Sequence, residues 1–105
     1  MKIIVPELSL ILLVGTSGSG KSTFGRTHFK PTEVVSSDFC RALVADDEND
    51  QSASHDAFAV LNFIIDRRLS AGRLAVVDAT NVNPEDRATL LKVAKDNNCL
   101  AVAIV

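Results

Sequence analysis

Only two cysteines, Cys40 and Cys99, occur in the 105 residues of this chain. That is too few for the disulfide framework of a small secreted domain, and their separation is not that of metal ligands. Two reduced thiols in a cytoplasmic protein are the simplest account of them. The two histidines, His28 and His55, have no Cys or His close in sequence, which argues against a zinc site. Basic runs are missing as well, and the formal net charge is −2. Overall charge therefore does not advertise a nucleic-acid binder, although a local basic groove is compatible with it. The opening stretch Met1-Lys2-Ile3-Ile4-Val5-Pro6-Glu7 is too short, and too soon interrupted by charge, for a signal peptide. The apolar run at 8–14 falls far below the roughly 20 residues of a membrane span, so no membrane role is expected. What remains is a chain that is 47% hydrophobic, without low-complexity linkers, and long enough for one small domain with a real core over 1–105.

The most informative positive feature is Gly15-Thr16-Ser17-Gly18-Ser19-Gly20-Lys21-Ser22, which satisfies the phosphate-binding pattern G-x-x-x-x-G-K-[ST]. It follows the apolar run Leu10-Ile11-Leu12-Leu13-Val14 and precedes a segment that reads as a helix over 21–28, which is the strand, turn and helix order the pattern requires. Four N–H groups at a helix N-terminus lack intrahelical partners, and the helix dipole is positive there. Backbone donors from Gly15, Ser17, Gly18, Ser19 and Gly20 can cradle the phosphates of ATP, with the glycines allowing close approach. Lys21 is placed to reach the β- and γ-oxygens, Ser22 offers a hydroxyl to Mg²⁺, and Thr23 can donate to the α-phosphate.

Four apolar runs, at 8–14, 33–36, 74–77 and 99–105, alternate with helical segments. Runs rich in Val, Ile and Leu suit parallel strands covered on both faces. A helix over 54–71 places Phe58, Leu61, Ile65 and Leu69 near one face, with Asp56, Arg67 and Arg68 off the stripe, and Gly72 supplies a left-handed stop. The next helix opens on Asn83 as cap, Pro84 in the first turn, and Glu85 and Asp86 complementing the dipole. Leu90, Leu91, Val93 and Ala94 give it an apolar face, and Asn97-Asn98 ends it. The order β-α-β-α-α-β-α-β indicates an α/β fold around a parallel sheet. Ligands in such sheets gather beyond the carboxyl ends of the strands.

Two further groups stand at those ends. Val34-Val35-Ser36-Ser37-Asp38-Phe39-Cys40-Arg41 brings an acid and a base to a strand end and a helix start, three apart and so on one helical face. Asp38 can accept the proton of an attacking hydroxyl as its oxygen bonds to phosphorus, and Arg41 can hold an acceptor phosphate through a forked contact. An N-cap Asp with a surface Arg accounts for the spacing equally well. Leu74-Ala75-Val76-Val77-Asp78 is an apolar strand ending in an acid, and Asp78 can support Mg²⁺ through water or orient a ligand; a tight-turn Asp is the alternative. The acidic segment Asp46-Asp47-Glu48-Asn49-Asp50-Gln51 reads as a solvated loop between helices rather than a metal site.

Taken together, G-T-S-G-S-G-K-S-T at 15–23, S-S-D-F-C-R at 36–41, D-D-E-N-D-Q at 46–51 and V-V-D-A-T-N-V-N-P-E at 76–85 resemble the N-terminal kinase domain of bacterial polynucleotide kinase-phosphatase, an RNA end-healing enzyme. The phosphate loop alone is shared by very many proteins; the other blocks in this order are more specific. The resemblance implies a P-loop NTPase α/β/α three-layer fold with a central parallel sheet, and transfer of the ATP γ-phosphoryl group to 5′-hydroxyl ends of RNA or DNA. It implies catalytic roles for Lys21, for Asp38 as general base and for Arg41 as the grip on the acceptor phosphate, with Ser22 on Mg²⁺ and Asp78 as an indirect metal support. The family places phosphatase and ligase-like domains on the same chain, and a lid whose arginines clamp the triphosphate. The present sequence reaches Val105 before such a lid and before the last strand, and reads as a fragment with weak or no turnover of its own.

Three other readings stay open on the residues alone: a small-molecule kinase of the same broad fold, a nucleotide-binding module without transfer, and an inactive fragment. All but the last need the loop to hold nucleotide. Lys21→Ala should lower ATP affinity about 10- to 100-fold in a titration, the weight of a charge-assisted contact of roughly 1.5–3 kcal/mol; unchanged affinity removes the phosphate-loop reading.

Overall fold

A computed structural model describes residues 8–13, 21–79 and 82–104. In chain order its elements are β1 (Ser9–Leu13), α1 (Lys21–His28), β2 (Val34–Ser36), α2 (Ser37–Ala45), a 3₁₀ turn at Gln51–Ala53, α3 (Ser54–Ser70), β3 (Ala75–Asp78), α4 (Pro84–Asp96) and β4 (Leu100–Ile104). The strands form one parallel sheet in the order β2-β3-β1-β4, so β1 and β3 are central. This is the expected parallel α/β architecture.

Alternation along the strands divides the core in two. Leu10, Val35, Ala75 and Val77 join Leu61, Ile65, Leu69, Leu90 and Ala94 in one cluster under α2, α3 and α4. Ile11, Leu13 and Val76 form a second cluster against Phe24 of α1 and Phe29 beyond it. Leu61 and Ile65 are fully buried, and truncating either to Ala costs about 2–5 kcal/mol by the usual cavity penalty. Coverage on both faces fails at β4, where Leu100 stands 61% exposed, whereas β2, the other edge of the sheet, is covered.

Several local expectations hold. Asn83 caps α4 by accepting from Asp86 N–H at 2.8 Å, Pro84 follows, and Gly72 takes φ +75° after α3. One does not. Leu91 is 44% exposed, since only Leu90 and Ala94, one turn apart, lie fully on the core face with Val93 beside them. Arg68 lies off the buried stripe of α3, as expected, but is half-buried. Its Nε and Nη2 both donate to the Leu74 carbonyl, at 3.0 and 2.8 Å, fastening the end of α3 to the approach of β3. No helix among the described residues is long and apolar enough to cross a membrane.

A polar clasp joins α3 to α4. Asn97 Nδ2 donates to Asp66 Oδ1 and to the Val93 carbonyl, each at 2.9 Å, while Ser70 Oγ donates to Asn97 Oδ1 at 2.7 Å. The Asn97 amide, then Arg67, hold the Asp66 carboxyl below its ordinary 3.8. A depressed carboxyl contributes stability that is complete above 3.8 and disappears as pH falls through the lower folded value. Urea unfolding should therefore show wild type losing more stability than Asp66→Asn between pH 5 and pH 3; parallel losses exclude the clasp.

Gly25 sets how closely α1 approaches the sheet. It is buried, and a Cβ built there meets Leu13 Cδ1 at 3.2 Å and Val34 at 3.8 Å. Glycine inside a helix costs roughly 0.5–1 kcal/mol relative to Ala, so its presence in an eight-residue helix reflects this contact. Gly25→Ala asks Leu13 to give by a few tenths of an ångström, whereas the branched side chain of Gly25→Val overpacks the end of β1. We expect the Val substitution to lower unfolding free energy by about 1–3 kcal/mol, with Ala nearly neutral; equal effects of the two in denaturant titrations contradict this.

Candidate functional site

Four strand ends lie level at the carboxyl edge of the sheet. Leu13 is in register with Asp78, Asp78 with Ser36, and Leu13 with Ile104 on the other side. With neighbouring strands about 4.8 Å apart, the exits of β1 and β2 are separated by roughly 10 Å, with β3 between them. The chain leaving β1 is the glycine-rich motif, the chain leaving β2 becomes α2, and Asp78 is the last residue of the strand between. Asp78 is thus a buried strand residue rather than part of an open turn.

The motif glycines and serines Gly15, Ser17, Gly18, Ser19 and Gly20 lie outside the described residues, as do Thr80, Asn81 and the side chains of Lys21 and Ser22. The helix the motif predicts is present and begins at Lys21. Its first turn carries no acidic side chain, which leaves the positive end of the helix dipole uncompensated from within that turn. Thr23 is exposed in that turn, and its Oγ1 accepts from Arg26 at 3.4 Å. An acid-free first turn of the helix that follows β1, and a carboxylate on β3 level with the end of β1, are compatible with a triphosphate and Mg²⁺.

At the exit of β2 the N-cap of α2 is Ser36, whose Oγ accepts from Phe39 N–H at 3.3 Å. Capping therefore does not occupy Asp38. It stands in the first turn, its side chain 53% exposed, and is ion-paired with Arg41 one turn along. Arg41 is not a surface arginine either. Its side chain is only 14% exposed, and its Nε donates to the main-chain carbonyl of Glu48 at 2.8 Å. The neighbouring Cys40 is buried and desolvation pushes its thiol pKa up, which removes it as a nucleophile.

The structure thus brings Asp38 and Arg41 together and sets them just past Ser36, in register with Asp78. Sequence reasoning missed the anchoring of Arg41 by Glu48, since nothing in the spacing of the two residues signals it. It missed Gly25 as well, although a glycine inside so short a helix was itself a signal. The acidic segment is a loop whose carboxylates serve its own backbone. Asp47 accepts from Asn49 N–H at 2.9 Å, and Asp50 accepts from Ser52 N–H at 3.0 Å and from Ser52 Oγ at 2.5 Å. Among the described residues no cluster of His, Cys, Asp or Glu is gathered to hold a metal ion.

No curated protein matches the chain. A family model described as an AAA domain matches residues 10–105, from the second residue of β1 through every element described above. Nearly the whole chain is covered, and the chain belongs to this AAA domain family, a P-loop NTPase-type family of kinase-like nucleotide-binding proteins.

Proposed function

We propose that this domain carries the phosphotransfer site of a polynucleotide 5′-hydroxyl kinase, which moves the γ-phosphoryl group of ATP to the 5′-OH of RNA or DNA in end healing and repair. The observation that carries the reading is the Asp38–Arg41 pair in α2, at the same edge of the sheet as the phosphate-binding motif and two strand positions away. A protein that only bound or hydrolysed nucleotide would not require a half-exposed carboxylate fastened to a nearly buried guanidinium at this edge. A hydroxyl acceptor flanked by its own phosphodiester uses both.

In this reading Arg41 grips the acceptor phosphate next to the terminal hydroxyl, through a charge-assisted fork. The ion pair keeps Asp38 beside that grip. The hydroxyl oxygen bonds to phosphorus as the bond to the departing ADP oxygen breaks, and Asp38 takes the hydroxyl proton. Lys21 and the N–H groups of 15–23 counter the charge on the phosphates. Mg²⁺, held by Ser22 with indirect support from Asp78, screens that charge when bound. The sequence blocks at 36–41 and 76–85 add their resemblance to polynucleotide kinases.

The test is transfer of labelled γ-phosphate by the full-length protein to a 5′-OH oligonucleotide, against a free sugar alcohol as control. Labelling of the oligonucleotide alone is expected, and Asp38→Ala should slow it about 10²- to 10⁴-fold, the range for loss of a general base, with ATP affinity kept. Labelling of the sugar, or a variant as fast as wild type, would refute the assignment.

A further inference from the structure

We infer that the loop between α2 and the 3₁₀ turn is a positioning device for Arg41, and that Asp47 and Asp50 act on the acceptor through it. The inference rests on the proposed role of Arg41 and extends it to residues outside the site.

An arginine side chain has several rotatable bonds, and a forked grip on phosphate requires most of them to be fixed. Burial of Arg41 restricts its stem, and two hydrogen bonds fix its head. The bond to Asp38 comes from the same helix and moves with it. The bond from Nε to the Glu48 carbonyl is different, because it ties the guanidinium to a segment seven residues away that must itself be held. That donor choice matters chemically. With Nε given to Glu48 and one Nη2 hydrogen to Asp38, Nη1 and the second Nη2 hydrogen remain as donors for a ligand. Among the described residues no hydrogen bond from Nη1 is found.

The carbonyl of Glu48 is held in turn by its neighbours. Asp46 ends α2 in the left-handed region at φ 59°, with its N–H on the Ala42 carbonyl. The Asp47 carboxylate closes a turn by accepting from Asn49 N–H, so Glu48 is enclosed within that turn. The Asp50 N–H donates to the Asp47 carbonyl at 3.2 Å, and its carboxylate caps the 3₁₀ turn through Ser52. The two carboxylates flanking Glu48 are thus committed to local backbone. Each is a short-range contact, and their common product is one carbonyl placed at 2.8 Å from Arg41 Nε.

The experiment compares wild type with Asp47→Ala/Asp50→Ala and with Asp50→Asn in the full-length protein, reading acceptor KM, ATP KM and hydrogen exchange at Arg41 Nε–H by NMR. The double variant should raise acceptor KM about tenfold, within the roughly 10²-fold that a 1 Å misplacement can cost, and speed Nε–H exchange, while ATP KM stays constant. Asn is also a good cap, so Asp50→Asn should keep wild-type values. A double variant with faster exchange but unaltered acceptor KM overturns the inference, and so does slow exchange retained without the two carboxylates. A merely weakened fold would shift both KM values together, which also overturns it. Should wild type phosphorylate no 5′-hydroxyl, the proposed function falls separately, and the exchange measurement alone decides whether the loop holds Arg41.

Discussion

The registration of three parallel strands at one edge is the constraint on which the rest depends. β3 is hydrogen-bonded to β1 on one side and β2 on the other, and Asp78 is level with Leu13 and Ser36 at once. Parallel pairing cannot slip by one residue here, because every side chain of the slipping strand would exchange one face of the sheet for the other. Were β3 to slip past β1, Ala75 and Val77 would leave the cluster that contains Leu10, Leu61 and Ile65. The core thereby fixes where the chain exits the sheet, and the exits fix which polar residues meet. Apolar burial several residues below the edge sets the geometry of groups that are themselves exposed.

Much of this was legible in the sequence, for reasons that differ from element to element. The strands were readable as short apolar runs, and the ends of α4 were readable from Asn83, Pro84 and the Asn97-Asn98 pair, since capping is decided within a few residues. The phosphate-binding motif was readable because each of its fixed positions has a local mechanical reason. Contacts between distant parts were not readable. Periodicity places Arg68 off the apolar stripe but cannot show that the Leu74 carbonyl waits beside it. Helical spacing pairs Asp38 with Arg41, yet it gave no weight to Ser36 as the cap that leaves Asp38 available, and none to Glu48. The coverage of β4 was misread because what packs on a strand is not encoded in its own run.

Charge presents a further constraint. With a net charge of −2, the chain exerts no long-range attraction on a polyanion. Whatever positive potential it offers must act within about a Debye length, near 8 Å at physiological ionic strength. The described structure has two such features at the carboxyl edge, the acid-free N-terminus of α1 and the guanidinium of Arg41. Both are fixed rather than diffuse, one by the backbone and the other by burial and hydrogen bonds.

The acidic loop illustrates why local arrangement matters more than composition in such a chain. Asp46, Asp47, Glu48 and Asp50 near Arg41 would repel an anion if their charges were simply summed. Yet the contact Glu48 makes with Arg41 is through its main-chain oxygen, and the carboxylates of Asp47 and Asp50 accept N–H groups of their own turns. The hydrogen bonds from Ser52, first its hydroxyl and then its N–H, hold the Asp50 carboxyl below its ordinary range, so it remains a charged acceptor for its turn rather than a competitor for protons. Partial compensation by oriented N–H dipoles lets the acids of this loop lie close to a guanidinium while the loop's own contact with it stays with a main-chain oxygen. A loop of this composition can then serve as scaffolding for a cation, with backbone geometry rather than net charge deciding which group reaches it.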